Sequence, residues 1–143
     1  MHIKFYSIKL FLIALLLSMG MANRANAQVQ IDTIPVYNST TGGYNSPASA
    51  GDILVYTFFI TNTSKTDITV STFFNNIPAG TSYVTGSTSL NGFFIPDVNG
   101  KMPFVGSGGY INSISNGKGI VGAGTFAKVQ YQVKVTANAG EIR

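Results

Sequence analysis

The chain has 143 residues, a formal net charge of +4 and no cysteine, so disulfides and cysteine-linked lipids are excluded. Three of its nine basic residues lie within the first 27 residues, and six basic residues then face five acidic ones in the rest of the chain. This near-neutral balance, without a cluster of lysine or arginine, argues against binding to nucleic acid.

The first 27 residues have the three-part plan of a secretory signal peptide. A short basic opening precedes an apolar run from Leu10 to Met21, and the small residues Ala25-Asn26-Ala27 follow. The apolar run of about 12 residues is shorter than the roughly 20 that a membrane-spanning helix needs. We therefore expect cleavage after Ala27, a secreted or cell-surface location, no membrane span after cleavage, and a single domain over residues 28–143.

Alternation of apolar and polar residues with a period of two dominates the rest of the chain, and no helical stripe appears. Residues 29–34 predict a weak first strand, and a loop rich in Ser, Thr and Gly covers residues 38–51. Residues 53–62 predict the strongest strand. The side chains that share its apolar face are Leu54, Tyr56, Phe58 and Ile60.

Shorter strands separated by turns are predicted in the middle of the chain. The first of them ends before Ile77-Pro78, because proline cannot donate to a sheet ladder. The dipeptide Asn91-Gly92 is the one that a type I′ hairpin turn favours. The short predicted strands cover residues 67–75, 81–85, 88–90, 93–95, 110–114 and 120–121.

Residues 125–136 predict a clean final strand, in which valine and tyrosine alternate with lysine and glutamine. Several short strands, each with one apolar face, favour two sheets packed face to face around one core. The side chains that we expect in this core are Tyr56, Phe58, Val129, Tyr131 and Val133.

A series of short motifs, in a fixed order over roughly residues 50–140, carries a resemblance to a known family. The series runs from Gly51-Asp52 and the strand that follows it, through Ile77-Pro78-Ala79-Gly80-Thr81 and Asn91-Gly92, to Gly122-Ala123-Gly124-Thr125 before the last strand. In this order the chain resembles the bacterial DUF11 repeat. The resemblance implies an immunoglobulin-like antiparallel β-sandwich of about seven strands, in a surface stalk, adhesin or envelope layer.

Two departures from the family pattern affect what the resemblance implies. Asn75 stands where the family commonly has an aspartate, so a role that needs a charge at that position is not carried over. The family usually continues into one more strand, at the point where this chain stops at Glu141-Ile142-Arg143. We therefore expect a sandwich that lacks its last strand and that either self-associates at the open edge or is only marginally stable. The added strand could come from another protein domain, from the Val29–Ile34 segment of a copy of itself, or from sequence downstream of residue 143. The alternative is that the chain is a fragment that ends before its natural last strand.

The inventory of reactive side chains argues against catalysis. No histidine or cysteine occurs after residue 27, which removes the usual catalytic triads and most transition-metal sites. The sequence Asp97-Val98-Asn99-Gly100 offers two oxygen ligands beside a glycine, fewer carboxylates than calcium loops usually supply. We therefore expect no enzyme activity, no cofactor and no bound metal.

Three pairs of adjacent phenylalanines occur in predicted strands, at 58–59, 73–74 and 93–94. Neighbours in a strand point to opposite faces, so each pair predicts one buried and one outward ring. If the outward rings are covered, the outer face is a contact with another domain. The alternative is a carbohydrate-binding module, in which exposed rings stack on sugars. The lack of tryptophan weighs against this alternative. The candidate interface residues are Phe59, Phe74, Phe94, Glu141, Ile142 and Arg143.

Overall fold

Residues 29–136, the part of the chain that the computed structural model describes, form antiparallel strands joined by turns and loops, and they include no helix. Their strands, numbered in chain order, are β1 (Val29–Thr33), β2 (Tyr37–Asn38), β3 (Gly43–Tyr44), β4 (Ile53–Asn62), β5 (Thr72–Phe73), β6 (Thr81–Tyr83), β7 (Ser89–Leu90), β8 (Phe93–Phe94), β9 (Gly109–Tyr110) and β10 (Phe126–Val135).

The two longest strands, β4 and β10, pair with each other at the centre of the larger sheet. Their antiparallel register places Tyr56 opposite Tyr131 and Phe58 opposite Val129. Val129 and Tyr131 are fully buried. On the other face, the Gln130 side-chain amide donates to the Thr57 hydroxyl at 2.9 Å. Both strands and the inward facing of the β10 valines and tyrosine are confirmed.

The short strands complete the larger sheet on both sides of this central pair. β1 and β2 follow each other along the free side of β4, and β3 pairs with β2. β6 and β7 line the opposite side of β10, and β8 pairs with β7. Within residues 29–136, β1 and β8 each pair on one side only.

The predicted hairpin between β7 and β8 is confirmed. Asn91 and Gly92 have φ angles of 54° and 86°, the positive pair that a type I′ turn requires. The Asn91 side chain also fixes the hairpin, because its carbonyl oxygen accepts a bond from the Lys128 amide at 2.8 Å and its amide group donates to the Asn112 carbonyl at 2.7 Å.

A second, less regular layer covers the inner face of the larger sheet. β5 pairs with β9, and an isolated bridge joins Ile68 to Val121. Apolar side chains from this layer meet those of β4 and β10 in one core. The fold is therefore an antiparallel β-sandwich, as predicted, while the immunoglobulin-like strand order stays a prediction. The buried members that the second layer supplies are Phe73, Met102, Phe104, Ile111 and Val121.

The continuous strand predicted over residues 67–75 was wrong. Val70 has a φ of 58°, so its left-handed backbone interrupts the extended run between the Ile68 bridge and β5. Only Thr72 and Phe73 pair as a strand. The strands predicted over 110–114 and 120–121 likewise reduce to β9 and the bridge at Val121.

The burial predicted for part of the core was wrong, although the predicted facing of the β4 side chains was right. Tyr56 and Phe58 point inward but are only partly buried, because the second layer leaves a cleft above them. Phe93 and Phe94 are both exposed, at 66% and 62%, so this pair does not divide into a buried and an outward ring. They lie on an edge strand of two residues, beyond the reach of the second layer.

Candidate functional site

The structure does not bring the predicted interface rings together. Phe59 lies on the outer face of β4, where it packs edge-on against Phe126 with ring centroids 5.2 Å apart. Phe94 lies on the same face at the β8 edge. Phe74 follows β5 in the second layer and is 52% exposed, whereas its neighbour Phe73 is buried as predicted. The predicted contact residues 141–143 lie outside the described residues.

Sheet register gives the spacing of the two rings on the outer face. Thr57, Gln130, Ser89 and Phe94 follow one another across four strands, and Phe59 lies in the next row opposite Lys128. Because neighbouring strands are about 4.8 Å apart, Phe59 and Phe94 are separated by roughly 15 Å. The outer face therefore carries separate aromatic groups within a polar surface and no continuous aromatic platform.

The free edge of β1 is a stronger candidate. Register places Val29 opposite Asn62 and Ile31 opposite Ile60, on the inner face of the sheet. Yet Val29 is 52% and Ile31 is 58% exposed, because the second layer, whose Ile68 and Ile111 border a small hollow beside Val29, does not close over β1. These are inward-facing apolar side chains at a place where the sandwich is open.

The backbone of β1 is open on the same side. The Ile34 amide donates to the Thr57 carbonyl at 3.1 Å. Hydrogen-bonded positions alternate along an antiparallel strand, so the backbone groups of Val29, Ile31 and Thr33 point away from β4. Within the described residues, no strand pairs with that side of β1. Within the part of the chain that the structure describes, the edge therefore combines unpaired backbone groups with exposed apolar side chains.

Two hollows lie along the opening between β1 and the second layer. A small one of about 100 Å³ lies beside Val29, Ile60 and Ile111. A wider cleft of about 530 Å³ lies beyond Ile34, with Asn75 and Pro78 on its second-layer side. The edge of β1 thus lies beside two separate hollows at the margin of the core.

The wider cleft has an aromatic floor. Tyr56 stacks on Tyr131 with centroids 5.5 Å apart and ring planes 8° apart, and Phe58 stacks on the other side at 6.1 Å. Asn75, the residue at the family's aspartate position, donates its side-chain amide to the Tyr131 hydroxyl at 2.9 Å. Burial, and then the neighbouring Tyr56, raise the pKa of Tyr131 far above its usual range. The phenol therefore keeps its proton, and the cleft offers hydrogen bonds without an acid–base group that works near neutral pH.

A third hollow, of about 470 Å³, opens near the start of β10. Phe126 and Ile114 supply exposed apolar surface there, at 48% and 70% exposure. The polar side chains in its lining include Asn116 and Lys128, together with Asn91, Ser113, Ser115 and Thr125. An apolar wall with an amide and an ammonium group is a surface on which a sugar or a peptide side chain could rest.

The loop considered for calcium has a structural use in this fold. Asp97 accepts hydrogen bonds from the Tyr83 hydroxyl at 2.6 Å and from the Gly86 amide at 2.9 Å. Asn99 and Gly100 have positive φ angles and close a tight turn between Val98 and Lys101. Among residues 29–136, no three His, Cys, Asp or Glu side chains form a group suited to a metal ion.

Within residues 29–136, no helix has the length and hydropathy that a membrane crossing needs.

The comparisons with known proteins add no relative. No family model, no curated protein and no solved structure matches this chain. The membership in the DUF11 family that the motifs predict therefore stays a prediction. The sequence predicted residues 29–34 as a strand that a neighbouring copy could donate, but it did not predict that β1 itself forms a free edge. The signal for that edge was the weak alternation of Val29 and Ile31 without a lysine between them.

Proposed function

We propose that the chain is a non-catalytic structural or adhesive module of an exported bacterial surface protein, and that it acts through contacts with other domains or with copies of itself. The observation that carries this proposal is the edge of β1, where Val29 and Ile31 lie 52% and 58% exposed beside backbone groups that no strand within residues 29–136 pairs. Proteins normally protect such edges, because they are templates for pairing with another chain.

The remaining features are compatible with this role. The predicted leader indicates export, and the motif order that resembles the DUF11 repeat implies a surface setting. The Tyr56–Tyr131 cleft holds its phenol protonated, and the chain has no histidine after His2 to act as a general base. These observations favour a binding module over an enzyme.

A carbohydrate-binding module is the alternative, and one observation supports it. The 470 Å³ hollow places the Phe126 ring near Asn116 and Lys128, a combination of ring and polar groups that suits a sugar. Phe126 meets Phe59 at an interplanar angle of 69°, so the two rings do not form the flat surface on which a sugar chain stacks best. Protein contact is therefore the function that we propose first.

Adhesion measured on coated beads tests the proposed function. Beads that carry the purified protein should cluster with one another or stay attached to films of cell-surface protein under flow, and a glycan array should give no signal. Beads coated with an unrelated β-sandwich serve as the control. If free sugar abolishes the retention of the beads, the result would support the carbohydrate alternative. Beads that bind neither protein nor sugar would contradict the proposal.

A further inference from the structure

The residues of β1 favour a particular partner. The strand has the sequence Val-Gln-Ile-Asp-Thr, and all five of its residues are exposed. It contains no proline, lysine or bulge, three of the devices that usually prevent edge pairing, and Asp32 is its one charged residue. Pro35, which lacks an amide hydrogen, ends the segment that can pair.

We propose that β1 pairs with β1 of a second copy of this chain, antiparallel and centred on Ile31, so that two sandwiches share one continuous sheet across a two-fold axis. This proposal rests on the proposed function and names the partner. In this register the outward-pointing backbone groups of Val29, Ile31 and Thr33 meet their counterparts and make about six hydrogen bonds. A two-fold contact closes on itself and yields a discrete dimer.

Side-chain complementarity selects this register. With Ile31 opposite Ile31, Gln30 of each copy faces Asp32 of the other on the outer face. Gln30 already donates to the Asp32 carboxylate within its own strand at 3.0 Å, so the same bond can form across the axis. A register shifted toward Thr33 would place two Asp32 carboxylates opposite each other, which is unfavourable. A shift toward Val29 would leave Asp32 without a facing residue of β1.

The inner face favours the same arrangement. The two Ile31 side chains, each 58% exposed in one copy, would cover each other, and each Val29 would lie opposite Thr33. Val29 borders the 100 Å³ hollow, so the contact would also shield this margin of the core. Pairing of β1 with a β8 edge would instead be head to tail, which builds open-ended chains of molecules.

Single cysteines provide a direct test, because the chain has none of its own. The full sequence, expressed with its leader and purified, would carry Ile31→Cys, Asp32→Cys or Phe93→Cys and be oxidised at micromolar concentration. Phe93 is the residue of β8 that lies on the same inner face as Ile31. Facing residues in an antiparallel pair are about 5.5 Å apart at Cα, within the range of a disulfide. We expect Ile31→Cys to form a covalent dimer rapidly, while Asp32→Cys and Phe93→Cys stay largely monomeric. A mixed disulfide between the Ile31→Cys and Phe93→Cys proteins would overturn the proposal in favour of head-to-tail pairing.

Charge changes at Gln30 test the register without cross-linking. Gln30→Lys places an ammonium group of each copy opposite the Asp32 carboxylate of the other. Gln30→Glu places a second carboxylate opposite Asp32 at both of these positions. By light scattering and sedimentation, we expect the first variant to tighten the dimer about tenfold and the second to weaken it about tenfold at low salt. Gln132→Lys and Gln132→Glu, on the outer face of β10, are the matched controls, and equal melting temperatures would show that all the variants fold.

The outcomes separate this proposal from the one on which it rests. A monomer for the unmodified protein and both Gln30 variants, without cross-linking at residue 31, would overturn the dimer. Retention of beads on films of another protein would then still support a module that binds other domains. A monomer that also leaves coated beads inert would contradict both.

Discussion

Val70 is the residue whose backbone fits its side chain least well. Its φ of 58° is rare for a β-branched residue, and the side chain is 71% exposed, so packing does not require valine. The backbone is held on both sides, since Ile68 pairs with Val121 and the Ser71 amide donates to the Gly119 carbonyl at 2.8 Å. The neighbouring hydrogen bonds therefore impose the left-handed conformation on Val70.

Replacement of Val70 by a residue that tolerates this conformation should stabilise the protein. Asparagine adopts left-handed φ more readily, and we expect Val70→Asn to raise the free energy of unfolding by about 1 kcal/mol. Denaturant unfolding would measure it. Val98→Asn is the matched control, because Val98 is also exposed but has no positive φ, and it should give no gain. A Val70→Asn protein no more stable than the original would show that the conformation carries no strain.

Phe58 and Phe59 are neighbours with different surroundings. Phe58 contacts the rings of Phe73 and Tyr131, whereas Phe59 contacts the Phe126 ring at the outer surface. We expect Phe58→Ala to lower the free energy of unfolding by about 3 kcal/mol and Phe59→Ala by clearly less, because only the first leaves a gap beside the core. Equal losses in urea unfolding would mean that the outer ring contributes as much as the inner one.

At the scale of elements, the contact between β5 and β9 depends on a glycine. A Cβ at Gly108 would lie 2.4 Å from the Phe73 carbonyl oxygen, and the φ there is 75°. Gly106 has a similar φ of 67° but nothing within 4 Å. Any side chain at residue 108 must therefore push the two short strands apart.

Alanine substitutions at Gly108 and Gly106 distinguish the effect of the close contact with Phe73 from the effect of a left-handed backbone. Alanine at either position has the cost of a left-handed residue, about 1–2 kcal/mol. We expect Gly108→Ala to lose clearly more than Gly106→Ala in the free energy of unfolding, because it alone also displaces the Phe73 backbone. Similar losses at both positions would show that the second layer shifts freely to admit a methyl group.

Elements that carry their own pattern were predictable from the sequence. β4 and β10 alternate over ten residues, and Asn91-Gly92 specifies its turn by local chemistry. The second layer has no such period, because turns and side-chain bonds hold it, such as the one from the Asn62 amide group to the Val121 carbonyl at 2.9 Å. Exposure of Val29 depends on how far that layer extends, which is a tertiary property that no local pattern contains.

At the scale of the whole molecule, Asp52 connects three parts of the chain at one end of the larger sheet. Its carboxylate accepts bonds from the Ser49 amide at 3.0 Å and from the Asn38 side chain of β2 at 2.8 Å. Its backbone carbonyl accepts the Val135 amide at 2.9 Å, at the end of β10. The bond from Ser49 and then the bond from Asn38 lower the pKa of this carboxyl below its ordinary range.

A lowered pKa in the folded state makes stability depend on pH in one direction. The folded protein favours the ionised Asp52, so this contribution is fully present above the unfolded-state pKa of about 3.9 and is lost as the pH falls through the lower folded-state value. We expect the melting temperature to fall below about pH 4, and Asp52→Asn to lower it at pH 7 while flattening that acid decline. If the melting temperature falls equally steeply with acid in the Asp52→Asn protein, the loss of stability comes from other carboxylates.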